Sequence, residues 1–313
     1  MMQVTAFAPA TVSNVACGFD VLGFALDAPG DEVTARATAA GVTIDEIVGD
    51  GGRLPRDARR NTAGVAAQAL LDALGERGGV GLTIRKGLPL SSGLGGSAAS
   101  AAAAVVAVNA LVGGGASSDM LVACALEGER LGAGSAHADN IAPSILGGLV
   151  LVRRASPPDI VRLPVPKGLI AIVVHPDLEI ETARARALLG TEVPLGDAVR
   201  QWANLGALVH ALHTGDFALM SRALEDTIAE PRRAPLVPGL ASIKEAAVGA
   251  GALGCSLSGS GPSIFALTVG TEAAARVAAA MTEAVKAAIG GDPQTYVSAI
   301  GGQGARVLSP CVS

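Results

Sequence analysis

A glycine- and serine-rich segment stands directly before a long run of alanine in this chain: PLSSGLGGSAASAAAAV, residues 89–105. Glycine adopts positive φ angles without steric cost, so successive backbone N–H groups can converge on one anion. A helix that begins here adds unpaired N–H groups and the positive end of its dipole. Gly93, Gly95, Gly96 and Ser97 are placed for such a nest, and phosphate is its natural ligand. The alternative is a mobile surface loop, because glycine loops before helices are common connections.

Two other glycine motifs that bind phosphate are excluded by the spacing. A P-loop requires G-x-x-x-x-G-K-[ST], and the chain contains no Gly-Lys pair. Gly93, Gly95 and Ala98 fit the dinucleotide pattern G-x-G-x-x-A loosely. That motif, however, follows its strand directly and leads to an acidic residue at the end of a second strand. Here the residues KGLPLSS intervene, and Asp119 is expected to open a helix instead.

A second group of polar residues, Glu129, His137, Asp139 and Asn140, lies close together in the sequence. The chain has no G-x-S-x-G elbow and no H-E-x-x-H or clustered His/Cys set, which argues against a serine hydrolase and a zinc enzyme. One carboxylate with a serine hydroxyl suits Mg²⁺, which keeps most of its waters and bridges phosphate oxygens. Glu129 and Ser97 are the candidate pair. For Asp139 and Asn140, ordinary loop capping is an equal alternative.

A third stretch, SLSGSGPS at Ser256–Ser263, lies between two apolar runs. By itself it is typical of a glycine-rich hairpin. It is also a second glycine loop, able to approach a ligand closely from the other half of the chain.

Bulk composition limits the classes of partner. Half of the 313 residues are apolar and only 2% are aromatic, so the core is built from alanine, valine, leucine and isoleucine. The net charge of −5 without a basic block argues against nucleic acid. The weakly polar run Ala98–Val112 falls short of a membrane span, and the N-terminus lacks the features of a signal peptide. Four cysteines without a CxxC pair indicate free thiols, so a soluble cytoplasmic protein is expected.

Periodicity and turn residues predict an α+β chain in two parts. The proline-rich segment Ala155–Gly168 is the predicted boundary, which gives domains at 1–164 and 165–313. Asn61 is expected to cap a helix that runs to Leu74. A loop is predicted at Pro9–Gly18. The predicted strands include Phe19–Leu26, Asp31–Thr38, Val80–Gly87 and Leu146–Arg153, and the further predicted helices are Ser97–Leu111, Ser118–Glu129, Ala183–Leu189, Asp197–His213, Phe217–Asp226, Ala241–Ala250 and Thr271–Ile289.

Three separated segments resemble the three motifs of the GHMP small-molecule kinases: Ala8–Leu26, Pro89–Ser100 and Cys255–Leu267. The P-x-x-S-G-L-G-x-S loop is specific to that superfamily. The resemblance implies phosphorylation of a small molecule by ATP, with Mg²⁺ held by Ser97 and Glu129. It also implies an N-terminal domain like the second domain of ribosomal protein S5 and a ferredoxin-like C-terminal domain. For ATP it implies contacts from Asn61 and from the loop residues Pro89, Leu90, Ser91, Ser92, Gly93, Leu94, Gly95, Gly96, Ser97, Ala98 and Ala99.

Within the family, the segments HADNIAPSILGG, TARARALL and EPRRAPLVPG resemble the members that phosphorylate the side-chain hydroxyl of L-homoserine in threonine biosynthesis. Arg186 and Arg233 match the arginines that bind the substrate carboxylate, a task that suits the planar guanidinium. Asp20, with Asn14 nearby, matches the amino-group side. The remaining substrate-pocket residues that the resemblance implies are His137, Asp139, Thr182 and Gly259.

The implied phosphoryl transfer depends on positioning and charge neutralisation. Family members similar to mevalonate kinase place an aspartate base where this chain has Asn140, and an amide cannot accept a proton. Asn140 is therefore expected to orient the hydroxyl while the proton passes to the γ-phosphate. The loop departs from the usual GLGSS at Gly96, where the missing hydroxyl is expected to cost about 0.5–1.5 kcal/mol of phosphate binding.

Two alternative functions stay open. The chain could phosphorylate a sugar or an isoprenoid alcohol such as mevalonate, although a neutral sugar needs no charges such as Arg186, Arg233 and Asp20. It could also be a non-catalytic binding protein of the GHMP fold, against which the intact Ser97 and Glu129 count. The resemblance further implies a homodimer, whereas nothing in the residues indicates inhibition by threonine.

Overall fold

The computed structural model describes residues 2–133 and 137–311. Its first sheet has seven strands: β1 (Gln3–Ser13), β2 (Leu22–Thr38), β3 (Val42–Val48), β4 (Gly79–Arg85), β5 (Leu149–Arg154), β6 (Asp159–Leu163) and β11 (Arg306–Cys311). The strand order is β11-β1-β2-β4-β3, and β5 also pairs with β2 and with β6. β3 and β4 run parallel, while the other neighbouring strands are antiparallel.

The first two strands are longer than the sequence predicts. β1 continues as far as Ser13, into the predicted loop at Pro9–Gly18. One strand, β2, replaces the two that were expected at Phe19–Leu26 and Asp31–Thr38. The register between β1 and β2 shifts beside Pro29, where the ladder is irregular. Proline has no N–H to donate, and a bulge lets the strand continue past it.

Four helices accompany the first sheet: α1 (Thr62–Leu74), α2 (Gly96–Leu111), α3 (Ser118–Ala133) and α4 (Ala138–Leu146). Helices α1, α2 and α4 contact its strands, and α3 packs against these three helices. Helix α2 contacts β1, β2 and the other three helices, and most of its residues are buried. Its alanines explain this position, because small side chains let neighbouring elements approach closely. A short 3₁₀ turn at Ala58–Arg60 precedes α1. The helices predicted at Ser97–Leu111 and Ser118–Glu129 are confirmed.

The second sheet has four strands: β7 (Leu169–His175), β8 (Gly254–Leu257), β9 (Ile264–Val269) and β10 (Gln294–Ala299). They are antiparallel, in the order β10-β7-β9-β8. The chain alternates as strand, helices, two strands, helix and strand, which is the ferredoxin-like pattern that the family resemblance implies. The helices of this half are α5 (Thr182–Ala187), α6 (Leu195–Thr214), α7 (Phe217–Ala223), α8 (Glu230–Arg233), α9 (Leu240–Gly249) and α10 (Thr271–Ala288).

One large apolar core joins the two sheets. Phe24 of β2 and Phe265 of β9 meet edge to face, with their ring centroids 6.1 Å apart. Helices α9 and α10 cover a second apolar cluster on β7, β8 and β9. The last strand, β11, returns to pair with β1. The domain division at residue 164 stays a prediction, and the pairing adds that residues near the C-terminus belong to the first sheet.

The helices and the cysteines also bear on membrane spans and disulfides. Across the described residues, none of the helices has the length and apolar character needed to cross a membrane. Cys17, Cys124 and Cys255 are buried free thiols, as the sequence predicts. The side chain of Cys311 lies outside the described residues.

Candidate active site

A cavity of about 540 Å³ opens between the two halves of the chain. Both glycine-rich segments contribute to its wall, and so do Ser97 and Glu129, the candidate Mg²⁺ residues. The volume lies within the usual range for small-molecule sites. The structure therefore brings the three sequence motifs to one place.

The first glycine segment turns sharply before α2. Ser91, Gly93 and Gly95 have positive φ angles of 53°, 77° and 67°. Helix α2 begins at Gly96, and among the described residues no side chain caps its first turn. The first N–H groups of this 16-residue helix are therefore available to a ligand at the cavity. This geometry suits the anion nest that the sequence predicts, and the binding of an anion here stays a prediction.

Gly95 is confined by two polar side chains. A Cβ at this position would lie 2.2 Å from Thr11 Oγ1 and 2.8 Å from Asn140 Oδ1. The Thr11 hydroxyl donates to Asn140 Oδ1 at 2.8 Å. This hydrogen bond orients the Asn140 amide, which lines the cavity beside Gly95.

The second glycine segment contacts the first. Ser258 Oγ donates to the Gly93 carbonyl at 2.7 Å, and the Ser263 N–H donates to the Ser92 carbonyl at 3.2 Å. A Cβ at Gly93 would lie 2.5 Å from the Ser258 carbonyl oxygen, so the close approach requires glycine. The glycine loops of the two halves are thus in direct contact, and the close approach of the second loop to a ligand stays a prediction.

Ser97, in the first turn of α2, and Glu129 of α3 both line the cavity. Glu129 is buried, and no hydrogen-bond partner for its Oε1 exists in the described part of the chain. Burial raises the pKa of Glu129, while the nearby Ser97 hydroxyl and the charge of Lys86 lower it. A buried carboxylate oxygen without a partner, next to a hydroxyl, suits a hard divalent cation such as Mg²⁺.

Asn14 connects several groups at the other end of the cavity. Its side-chain Nδ2 donates to the Gly259 carbonyl at 2.8 Å, and its Oδ1 accepts from the Asp20 N–H at 3.1 Å. Its own N–H donates to Asp139 Oδ2 at 3.2 Å. Asn14 and Asp20 both have positive φ angles, of 70° and 59°. Asparagine and aspartate tolerate this conformation better than most residues.

Two arginines face Asp20 and Phe19. Arg186 forms an ion pair with Asp20, with an N–O distance of 2.6 Å. The Arg233 guanidinium is largely buried and donates to the Gly259 carbonyl at 2.9 Å. Both guanidinium carbons lie 5.3 Å from the centroid of the Phe19 ring, which is a cation–π distance. The ring therefore holds two positive charges beside one carboxylate.

Two titratable groups near this end have shifted pKa values. Burial lowers the pKa of His137, and the charges of Arg186 and Arg233 lower it further against the opposing charge of Asp20. Burial raises the pKa of Asp139 to about 7, and the charge of Asp20 adds to the rise. At neutral pH the imidazole is therefore mainly uncharged.

Comparison with known proteins identifies the family. Residues 61–148 match the model of the GHMP kinases N-terminal domain, and residues 208–287 match that of the GHMP kinases C-terminal domain. This chain is a member of the GHMP kinase family. It is 49% identical to a homoserine kinase of Chlorobium phaeovibrioides, over 98% of this chain and 100% of that protein. A homoserine kinase of Xanthomonas campestris is 46% identical over 99% of this chain and 95% of that protein. The crystal structure of a homoserine kinase from Cytophaga hutchinsonii superposes with a TM-score of 0.94 at 49% identity, over 98% of this chain and 97% of that one.

Most of the predicted site residues of this GHMP kinase line the cavity. These residues extend from the glycine loop to the charged groups around Asp20. They are Asn14, Asp20, Asn61, Pro89, Leu90, Ser91, Ser92, Gly93, Gly95, Gly96, Ser97, Glu129, His137, Asn140, Thr182, Arg233 and Gly259. Their roles toward a ligand stay predictions.

The other predicted residues lie behind that wall. Asp139 is buried beneath Asn14, and Arg186 reaches the site through Asp20. Leu94, Ala98 and Ala99 are buried and belong to the apolar core under the loop. Any contact of these three residues with a nucleotide would come from main-chain atoms.

Asn61 has a structural role that the sequence indicated separately. Its Oδ1 accepts from the Ala63 and Gly64 N–H groups and so caps α1, as predicted. Its Nδ2 donates to the Pro55 carbonyl at 3.0 Å. Because these bonds occupy the side chain, the predicted contact of Asn61 with adenine stays a prediction, and Pro55 and Leu54 supply the apolar wall beside it.

Several cavity residues were missed by the sequence analysis. Lys86 and Ser100 meet at the start of α2, and Arg53 also lines the cavity. Lys86 follows directly on β4 and precedes the glycine loop, so its position was the one available signal. The others contact groups far away in the sequence, and no local pattern marks them. The remaining unpredicted lining residues are Ser13, Leu54, Pro55, Arg60, Thr62, Ile84, Leu131, Glu181, Ala183 and Ser260.

Proposed function

We propose that this GHMP kinase transfers the γ-phosphoryl group of ATP to the side-chain hydroxyl of L-homoserine, giving O-phospho-L-homoserine and ADP. Relatives that are 46–49% identical over nearly the whole chain carry the name homoserine kinase. The observation that carries the proposal is the charged pair Asp20 and Arg186, with Arg233 beside it, at one end of a cavity whose other wall is the glycine nest.

This end of the cavity suits an amino-acid zwitterion. Asp20 and Arg186 neutralise each other in the ligand-free chain, and their side chains keep about a third of their exposure. An ammonium group can take the place of Arg186 at Asp20, while a carboxylate pairs with Arg186 and Arg233. Each charge of the substrate then finds an opposite charge, and guanidinium groups bind carboxylate bidentately. A neutral sugar or mevalonate offers no ammonium for Asp20.

The nest supplies the positioning that phosphoryl transfer needs. The N-terminus of α2 and the loop N–H groups bind the triphosphate, and Asn140 orients the hydroxyl. The hydroxyl oxygen bonds to the γ-phosphorus, the bond from that phosphorus to the bridging oxygen breaks, and ADP leaves. The hydroxyl proton passes to an oxygen of the transferred group. Ser97 and Glu129 would hold Mg²⁺, which neutralises charge on the phosphate oxygens.

The test is an assay of ADP formation with Mg²⁺ over L-homoserine, L-threonine, mevalonate and galactose. We expect kcat/KM for homoserine to exceed that of the others by about 100-fold. Mevalonate and galactose lack the ammonium that pairs with Asp20, and L-threonine carries its hydroxyl one carbon closer to the charged groups. Preparations of Glu129→Gln control for contaminating kinases. Turnover of mevalonate or galactose without homoserine would support another GHMP kinase activity, and ATP binding without any turnover would support a binding protein.

Family resemblance supports two further proposals, a homodimer and a cytoplasmic location. The chain mass is 30.8 kDa. Light scattering during gel filtration is expected to give about twice that value, and a mass of one chain would contradict the dimer. Fractionation of the source cells is expected to recover the kinase activity in the cytosol, and activity in the membrane or secreted fraction would contradict the location.

A further inference from the structure

Lys86 forms a buried cluster beneath the nest. It follows the last residue of β4, and its side chain is 2% exposed. Its ammonium makes an ion pair with Asp31 and donates to the Gly96 carbonyl at 2.7 Å and to Ser100 Oγ at 2.9 Å. A lysine ammonium has three N–H donors. All three are used inside the protein, although Lys86 also lines the cavity.

Asp31 completes the cluster from β2. Its side chain is fully buried, and its Oδ2 accepts from Ser100 Oγ at 2.6 Å as well as from Lys86. Its Oδ1 accepts from the Gly87 N–H at 3.0 Å. The carboxylate is therefore bonded on both oxygens. A buried charge without such partners would be strongly unfavourable, so Lys86 and Asp31 depend on each other.

The cluster connects the sheet to the first turn of α2. Gly96 is the first residue of the helix, and Ser100 lies one turn further along the same face. Ser97, the next residue after Gly96, lines the cavity together with Glu129. Bonds from Lys86 to Gly96 and Ser100 therefore fix the helix start on either side of Ser97.

We propose that Lys86 is a positioning residue for the triphosphate: through Asp31, Gly96 and Ser100 it fixes the start of α2 and places a positive charge beneath the nest, without giving a hydrogen bond to the nucleotide. The proposal rests on ATP as the ligand of the nest, as proposed above. A lysine that bound phosphate directly would keep a donor free for it, whereas the donors of Lys86 are taken.

The test measures nucleotide binding separately from turnover. Isothermal titration with ATP in the presence of EDTA gives a Kd that depends on neither Mg²⁺ nor homoserine. The main variant is Lys86→Met with Asp31→Asn, which removes both charges and leaves no unpaired carboxylate. We expect its Kd for ATP to rise about tenfold or more. The KM for homoserine at saturating ATP is expected to stay within about twofold.

Two further variants keep the test decisive. Lys244→Met is the matched control, because Lys244 also forms a carboxylate ion pair, with Glu230 in the other half of the chain. Its Kd for ATP is expected to stay within about twofold. Ser100→Ala keeps both charges and removes one link to α2, and we expect a Kd about two- to threefold higher. Circular dichroism and thermal melting report whether each variant is folded.

The outcomes separate the possibilities. An unchanged Kd in the folded double variant overturns the proposal, and equal rises in the Kd for ATP and the KM for homoserine overturn it too, because they indicate a general structural role. If the double variant does not fold, an unchanged Kd in Ser100→Ala overturns it. Failure of homoserine turnover in the unaltered protein would contradict the proposed function and leave this binding test intact.

Discussion

Asn14 and Arg233 donate hydrogen bonds to the same atom, the carbonyl oxygen of Gly259, at 2.8 Å and 2.9 Å. Asn14 lies between the first two strands of the first sheet, whereas Gly259 and Arg233 belong to the second half of the chain. The Asp20 N–H in turn donates to Asn14. The amino-group side and the carboxylate side of the proposed substrate pocket are therefore fixed relative to each other through one main-chain atom, as the fixed spacing of the ammonium and carboxylate on one α-carbon requires.

Arg186→Ala separates substrate binding from nucleotide binding. Because Arg186 pairs with Asp20 and is proposed to bind the substrate carboxylate, its loss removes a charged hydrogen bond. We expect KM for homoserine to rise about 10- to 100-fold, with KM for ATP within about twofold. Steady-state kinetics measure both. Arg184→Ala is the control, since Arg184 lies on the same short helix with its side chain exposed. A larger effect on ATP than on homoserine would place Arg186 in the nucleotide site.

Sequence patterns predicted the parts of the site that are local in the chain. The nest at Gly93–Ser97 and the Asn61 cap depend on neighbouring residues, so their signals are short and readable. The partners that fix them come from far away. Lys86 pairs with Asp31, 55 residues earlier, and Ser258 bonds to a carbonyl 165 residues earlier. Such pairs depend on the strand register and on the docking of the two halves, which periodicity does not encode.

The error at β1 and β2 has the same origin. Pro29 lies between the two predicted strands Phe19–Leu26 and Asp31–Thr38, and proline weakens a strand locally. In the folded chain the pairing of β1 with β2 accommodates Pro29 with a register shift, so one long strand forms. The tertiary partner thus decides an element that local propensity assigns wrongly.

Glu129→Gln is expected to abolish turnover without loss of stability. The carboxylate is buried with Oε1 unpaired in the described chain, and an unpaired buried oxygen costs about 1–3 kcal/mol. An amide removes the charge that Mg²⁺ needs, so we expect kcat to fall about 100-fold or more while the melting temperature stays equal or rises. Glu127→Gln on the same helix is the control, because its partner Arg130 and the glutamate are both half-exposed. A melting temperature several degrees lower, with activity kept, would contradict the assignment.

Serine is expected to be tolerated at Gly96 and not at Gly95. A Cβ at Gly96 would meet Lys86 Nζ at 3.5 Å and Leu88 Cβ at 3.6 Å, which are ordinary contacts. The added group would face Lys86, so we expect the KM for ATP to change less than about threefold. This corresponds to the lower end of the ~0.5–1.5 kcal/mol of phosphate binding expected from the sequence, or about 0.5 kcal/mol. Gly95→Ser would place a Cβ 2.2 Å from Thr11 Oγ1 at a positive φ, and activity is expected to be lost. Kinetics and thermal melts of both variants decide, and equal behaviour would contradict the prediction.

An exposed ion pair lies at the cavity. Arg53, which lines the cavity, makes two bonds of 2.6 Å and 2.7 Å to Glu179, and the nearby Glu181 also lines it. Arg53→Glu places like charges together, so we expect the KM for ATP to rise about two- to fivefold at low salt and the effect to shrink at high salt. The charge exchange Arg53→Glu with Glu179→Arg is expected to restore the KM. No restoration would mean that Arg53 acts on the nucleotide itself.

Asp139 makes the stability of the chain depend on pH. Burial, with the charge of Asp20, raises the pKa of Asp139 from 3.8 to about 7 in the folded chain. Between these values the folded state binds one proton more than the unfolded state, so the free energy of unfolding falls as pH rises and levels off above about pH 7. Asp139→Asn resembles the protonated acid and can still accept from the Asn14 N–H. We expect urea unfolding to show the variant gaining about 2 kcal/mol relative to the unaltered chain between about pH 5.5 and pH 8.5. Other groups, His137 included, titrate in both proteins and cancel in the difference. If the difference in the free energy of unfolding between the two proteins is the same at about pH 5.5 and at about pH 8.5, Asp139 is ionised in the folded chain at both pH values and the prediction is wrong.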